Sequence, residues 1–253
     1  MSTMIGDPRI SLIRKRLKSV KVIVPVLSPK GGVGKTLIST MLSLVLAKNN
    51  MRVGLLDLDI TNPTSHIVLG VEASLEKVSE NRGLLPINVN GVLFMSPAIY
   101  SLDKPLALRG YEITDAIREL LAVTRWEKLD VLIADTPPGI SDEILELLLL
   151  VRDPSVIIVS TPSILALKSV ERIIEVLRKT GIQVLGTIEN MSDPREILDR
   201  RRIYESIGCR LLAITPLEPG LEEKLGDPNK LLDTSIAKIL GENITPVIKN
   251  LIA

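Results

Sequence analysis

The chain has 253 residues, 45% hydrophobic and only 2% aromatic, with 31 basic against 30 acidic side chains and a net charge of +1. That length suits one α/β domain over 1–253 with an aliphatic core, and the near-zero charge excludes a global field that would draw the chain to nucleic acid or an anionic membrane. One cysteine, Cys209, excludes an internal disulfide, and no run approaches the ~18 apolar residues of a membrane span, so a cytoplasmic protein with neither membrane nor nucleic-acid partner is expected.

Residues 1–19 form a polar, basic lead-in with no apolar signal segment. Within and just beyond it, Arg14-Lys15-Arg16 with Lys18 and Lys21 reads as a solvated face, as does Arg200-Arg201-Arg202. Short β-branched and aliphatic runs then alternate with longer amphipathic ones. The runs predict strands over Val20–Ser28, Val53–Asp57, Val92–Ser96, Val131–Asp135, Val156–Ser160, Val184–Ile188 and Leu211–Ile214. Helices are predicted over Lys35–Asn49, Ile113–Thr124, Asp142–Val151, Ile164–Thr180 and Arg195–Ile207. The alternation implies an α/β fold: a doubly wound, mostly parallel sheet with helices on both faces. A long connection between Asp57 and Val92 breaks the rhythm. It starts at a strand end, where open α/β sheets bind ligands. In 243–253, the spacing of Ile244, Val247, Ile248, Leu251 and Ile252 predicts a C-terminal helix packed on the sheet.

The first strand runs into Lys30-Gly31-Gly32-Val33-Gly34-Lys35-Thr36, and a helix opens at Lys35. Strand, glycine-rich turn and helix are the context of a phosphate-binding loop. Glycines let backbone amides converge on phosphate oxygens without side-chain collision, and the helix N-terminus adds unpaired donors. Lys35 is expected to reach the β- and γ-phosphates of ATP, and the Thr36 hydroxyl to ligate Mg²⁺. The first glycine of the general pattern is absent, since Pro29 stands there.

Two acidic strand ends fit the same chemistry. The run Val53–Asp59 ends in Asp57 and Asp59, expected on one face, and Val131–Asp135 ends in Asp135 before Thr136-Pro137-Pro138-Gly139. An aspartate at such a tip beside a phosphate loop is placed to hold Mg²⁺.

The loop resembles the deviant Walker A motif of the MinD/ParA group of P-loop ATPases, and the chain as a whole is similar to its Mrp branch, the ATP-dependent iron–sulfur cluster carriers. Arg14-Lys15-Arg16-Leu17, Asp57-Leu58-Asp59-Ile60-Thr61-Asn62-Pro63-Thr64, Asp135-Thr136-Pro137-Pro138-Gly139 and Glu189-Asn190-Met191-Ser192 carry the likeness. It implies a homodimeric ATPase that works with iron–sulfur client or adaptor proteins. Lys30 would reach the partner's nucleotide, Asp59 would position the attacking water and Asn190 would read the adenine. Pro216 and Leu217 would lie near the base. Val33 and Leu37 complete the nucleotide-binding segment, although Leu37 stands where the group has a second hydroxyl. Asn62 likewise replaces a glycine.

The Mrp branch places Cys-x-x-Cys soon after the Glu-Asn-Met-Ser segment, to hold a bridging cluster with a second subunit. Here Asp193-Pro194-Arg195-Glu196-Ile197 follows, and no cysteine occurs until Cys209. Two chains supply two thiolates where a cluster takes four. The expectation is a cluster-free relative, with Cys209 a buried packing residue and His66 a surface or packing one. The alternative implied by the wider group is a MinD/ParA-like positioning or partition ATPase.

Overall fold

The computed structural model describes residues 7–104 and 108–253, so residues 1–6 of the basic lead-in lie outside the described residues. Among the described residues ten strands form: β1 (Val20–Leu27), β2 (Val53–Asp57), β3 (Ser79–Glu80), β4 (Leu84–Leu85), β5 (Ile87–Val89), β6 (Val92–Met95), β7 (Leu129–Asp135), β8 (Ser155–Ser160), β9 (Gln183–Asn190) and β10 (Leu211–Thr215). Eight of them make one sheet in the order β10-β9-β8-β1-β7-β2-β6-β5, and β3 pairs with β4 apart from it. Every neighbour in the large sheet is parallel except β5 and β6. Those two are joined by Asn90-Gly91, both at positive φ (47° and 84°), the backbone that a tight two-residue hairpin demands.

The helices are α1 (Pro8–Leu17), α2 (Lys35–Lys48), α3 (Ser65–Leu69), α4 (Pro97–Ser101), α5 (Tyr111–Val123), α6 (Asp142–Leu150), α7 (Ile164–Thr180), α8 (Ile197–Ser206), α9 (Pro228–Leu232), α10 (Ser235–Asn243) and α11 (Thr245–Ile252). The sheet buries both faces, as the unbroken apolar runs require. On one face Val24, Val26, Leu55 and Ile133 pack with Ile38, Leu42, Leu240 and Ile248 from α2, α10 and α11. On the other, Ile23, Leu56 and Leu132 meet Ile13, Leu17, Ile117 and Leu147 from α1, α5 and α6. Beyond them Val156 and Ile158 pack with Val170, Ile174 and Tyr204 from α7 and α8. The doubly wound sheet is therefore present, and α11 packs on the sheet.

Several elements were not expected. α1 starts on Asp7, whose carboxylate accepts from the Arg9 amide at 2.9 Å, with Pro8 in the first turn. α9 starts the same way on Asp227-Pro228. The 58–91 connection is filled by α3, a single 3₁₀ turn at Leu75–Lys77, the β3–β4 ribbon and β5. No helix among the described residues is long and apolar enough to cross a membrane.

Candidate nucleotide-binding site

Three parallel neighbours, β1, β7 and β2, end side by side, and their carboxyl ends carry the loop at 28–34, Asp135 and Asp57. Asp57 and Asp135 are direct cross-strand partners. The loop turns sharply through Gly32 (φ +77°) and Gly34 (φ +80°), values that L side chains rarely adopt. Lys30, Gly31 and Gly32 are exposed, whereas Val33 and Lys35 are buried. α2 opens on Gly34 with no side-chain cap, so its first-turn amides face the loop's concavity unoccupied by a capping oxygen.

The buried floor of the site is one hydrogen-bonded cluster. Lys35 Nζ donates to Asp135 Oδ1 at 2.5 Å, Thr36 Oγ1 to Asp135 Oδ2 at 2.7 Å and Ser39 Oγ to Asp135 Oδ1 at 2.8 Å. Asp135 is fully buried. Its neighbour Asp57 accepts from the amides of Asp59 (3.1 Å) and Ser65 (3.2 Å) and from Ser96 Oγ at 3.3 Å. Complete burial, and next the charge of Asp135, push the Asp57 carboxyl up to about 7. Asp59 does not share a strand face with Asp57, because β2 stops at Asp57. It lies in the following turn, half-buried, and accepts from Thr61 Oγ1 and the Asn62 amide, each at 3.1 Å. Burial also raises its pKa.

The remaining expected residues ring this floor. Asn190 ends β9 and is 1% exposed. Its Nδ2 donates to the Val33 carbonyl at 2.9 Å, and its Oδ1 accepts from Thr215 Oγ1 at 2.8 Å. That side chain braces the phosphate loop from below. Leu37 turns away from the loop and packs against the α2 side of the core. Pro216 is half-buried and Leu217 exposed beside β10. Thr136 Oγ1 donates to the Val26 carbonyl and the Gly139 amide to the Ser28 carbonyl, each at 2.8 Å, which ties the turn after β7 to the end of β1.

Three members were missed. Ser39 lies four residues after Lys35, one turn along the same helix face, and its position was readable as a hydroxyl facing a lysine. Ser65 and Ser96 reach Asp57 from distant connections, which no local pattern announces. Two arginines need correction. Arg16 is not on a solvated face: half-buried, it donates to the carbonyls of Ala122 and Arg82. Arg200 is not on one either: it pairs with buried Glu189, which also accepts from Tyr204 (2.9 Å) and Ser192 (2.8 Å). His66 is a buried packing residue, with Nε2 3.4 Å from Asp103.

The oxygen donors fit a hard divalent cation. The Thr36 hydroxyl and Asp135 carboxylate are the ligand types Mg²⁺ takes, beneath a loop open to phosphate. For an iron–sulfur cluster the residues do not fit. Cys209 is buried beside Thr187 Oγ1 at 3.3 Å, and burial pushes its thiol up. The segment after Asn190 supplies Met191, Asp193, Pro194, Arg195 and Glu196 and no thiolate.

Comparison with known proteins identifies the family and the fold. The family model described as ParA, NUBPL iron-transfer P-loop NTPase, matches residues 19–252. The cytosolic Fe-S cluster assembly factor Nubp2 homolog of Drosophila erecta is 35% identical over 254 residues, covering 93% of this chain and 97% of that one. An iron-sulfur cluster carrier protein of Pseudomonas fragi is 40% identical over 178 residues, 70% of this chain and 62% of its own. Among solved structures, a nucleotide-binding protein of Archaeoglobus fulgidus in complex with ADP aligns with a TM-score of 0.71 at 29% identity, covering 88% of this chain and 93% of that one. The cell division ATPase MinD of Pyrococcus furiosus shares the fold, with a TM-score of 0.64 at 21% identity over 90% and 99% of the two chains.

Proposed function

The chain belongs to the NUBPL iron-transfer P-loop NTPase family, and on that premise we propose a Mg-dependent ATPase that closes as a homodimer over its nucleotides and serves iron–sulfur protein assembly in the cytosol without holding a cluster on its own cysteines. The observation that carries this reading is the buried Lys35–Asp135–Thr36 cluster beneath an open glycine loop.

Phosphate oxygens would take the uncapped amides at the head of α2 and draw the Lys35 ammonium from Asp135. Asp135 and Thr36 are then free to hold Mg²⁺, which when bound supplies neutralisation of the phosphate charge. Asp59, raised by burial and positioned by Thr61 and Asn62, orients the attacking water. Lys30 is exposed on the loop and free to reach a second copy. Exposed apolar side chains surround the same edge of the sheet: Ile164 and Leu165 follow β8, Leu198 follows β9 and Leu217 follows β10. Their burial against a second copy would favour a face-to-face dimer. Release of phosphate would loosen the Asp59 and Thr136–Gly139 turns and so change affinity for a client. Ile248 of α11 is fully buried and Val247, Leu251 and Ile252 pack against the same core, so the apolar face of the C-terminal helix is turned to the sheet, which disfavours the membrane-positioning alternative.

The test is phosphate release and light-scattering mass for wild type, Lys35→Ala and Asp59→Ala, with ATP and Mg²⁺. We expect slow hydrolysis and an ATP-dependent dimer in wild type, loss of binding in Lys35→Ala, and binding without hydrolysis in Asp59→Ala. Equal hydrolysis by wild type and Asp59→Ala removes Asp59 from the chemistry. A wild type that stays monomeric with ATP removes the dimer.

A further inference from the structure

The opposite edge of the sheet, where the strands begin, carries a cleft of about 900 Å³ that the nucleotide chemistry does not use. It lies between α1, the start of β1, the end of α6 and α11. Its rim is cationic from two separate segments of chain: Arg14, Lys18 and Lys21 come from the lead-in, and Arg152 comes from the turn between α6 and β8. Its floor is aliphatic, with Leu17 from α1 and Leu149 from α6, and Leu149 is 57% exposed.

Half of the charge of this rim is spent internally. Lys21 pairs with Asp130 at 3.1 Å and Arg152 with exposed Asp153 at 3.3 Å. Arg14 and Lys18 have no carboxylate within 4 Å among the described residues. By contrast Arg16, one turn away, donates to the carbonyls of Ala122 and Arg82 and is structural. Asp153 is the one carboxylate lining the cleft, and it already pairs with Arg152 as Asp130 does with Lys21, so Arg14 and Lys18 are the cations left over the apolar floor.

We infer that this cleft docks a protein segment that is acidic and carries aliphatic side chains, such as an extended tail or loop of a client or adaptor. Carboxylates would meet Arg14 and Lys18, and an aliphatic side chain would cover Leu149. The volume falls within the range of built binding clefts, about 300–1,000 Å³. Nucleic acid suits it poorly, because none of its lining residues is an aromatic on which a base could stack. A bilayer surface is the competing outcome, which the vesicle arm of the experiment below decides. The cleft lies across the sheet from the phosphate loop, so a partner held there would leave the nucleotide edge free for a second copy.

The experiment is fluorescence anisotropy of the full chain with a fluorescein-labelled Glu-rich peptide carrying two leucines. Its controls are the same peptide with serines for the leucines, duplex DNA, and phosphatidylglycerol vesicles. The variants are Arg14→Glu with Lys18→Glu, and Leu149→Ser. All three positions are exposed, and melting curves and ATP hydrolysis verify that fold and nucleotide site are intact. The expected result is saturable binding of the leucine-bearing peptide, weakened about tenfold or more by the double charge reversal, which removes two attractions and adds two repulsions. Leu149→Ser and the serine peptide are each expected to weaken it several-fold. The inference is overturned if DNA or vesicles bind at lower concentration than the peptide. It is equally overturned if charge reversal, or Leu149→Ser, leaves the peptide's affinity unchanged.

Discussion

Lys35 Nζ and Asp135 Oδ1 lie 2.5 Å apart, the lysine 7% exposed and the aspartate not at all, so the cation we propose for phosphate is held by the carboxylate we propose for the metal. Each group is the other's charge partner in a buried floor, with the Thr36 and Ser39 hydroxyls completing the contacts of the carboxylate. It also sets the order of events on nucleotide binding, since whatever takes Lys35 releases Asp135.

Lys35→Ala should therefore destabilise the free protein as well as abolish nucleotide binding. Removing one member of a buried pair strands the other, at about 3–5 kcal/mol. The hydroxyls of Thr36 and Ser39 still reach Asp135, so the lower end of that range is expected. Urea unfolding measures it. Lys35→Ala with Asp135→Asn should recover most of the loss, because the stranded charge is gone. A single variant as stable as wild type would show that the pair carries no stabilisation.

Ser39→Ala tests the positioning of the same carboxylate without touching a charge. Ser39 Oγ contacts Asp135 Oδ1 at 2.8 Å and the Lys35 carbonyl at 2.9 Å. Losing that bond should cost about 1 kcal/mol of stability. A comparable loss in the transition state would lower kcat about fivefold to tenfold, with KM for ATP little changed. Ser39→Thr, which keeps the hydroxyl, should recover part of the rate. A rise in KM at unchanged kcat would place Ser39 in nucleotide binding instead.

How much of this was readable beforehand follows from what each signal depends on. Interior strands such as β1 and β7 are mostly aliphatic runs, so the parallel sheet was legible, and the glycine loop identified its own neighbours. β5 was not, since three residues around Asn88 hold too short an alternation, although Asn90-Gly91 advertised the hairpin. Asp7-Pro8 and Asp227-Pro228 were equally legible helix starts that went unread, because the first sat in a stretch dominated by charge. Asp135 was recognisable from its strand tip. Ser65 and Ser96 were not, because their role depends on connections folding back over β2. Arg200 was misread because its partner Glu189 lies on another element.

Gly34→Ala should be more damaging than its size suggests, for two reasons that add. A φ of +80° costs an L residue about 1–2 kcal/mol. A Cβ at Gly34 would also fall 2.3 Å from Asn190 Nδ2. That amide has little room to yield, because it is bonded to Val33 and Thr215 on its two sides. Gly31→Ala is the matched control, since nothing lies within 4 Å of its added carbon. Thermal melts should show a clear loss for Gly34→Ala and near-wild-type behaviour for Gly31→Ala. Asn190→Ala should restore only the steric part of the Gly34→Ala deficit.

Cys209 decides whether the missing cysteine pair means a missing cargo. A thiol binds iron or reacts as its thiolate, and burial disfavours the charged form. Here burial raises the Cys209 pKa above its ordinary value, while Thr187 Oγ1 and the Arg210 carbonyl lie beside the sulfur. The thiolate fraction in the folded protein is thus lower than in the unfolded chain at any pH below the raised pKa, and access is poor as well. Iodoacetamide should label the native protein far more slowly than the urea-unfolded one across pH 7 to 9, a span of about two decades in free thiolate before saturation. Anaerobic reconstitution with iron and sulfide should leave wild type and Cys209→Ala equally without cluster, as judged by visible absorbance and iron content. Stoichiometric iron in wild type that disappears in Cys209→Ala would mean that β10 opens to expose the sulfur. The chain would then hold iron by a route other than a Cys-x-x-Cys pair.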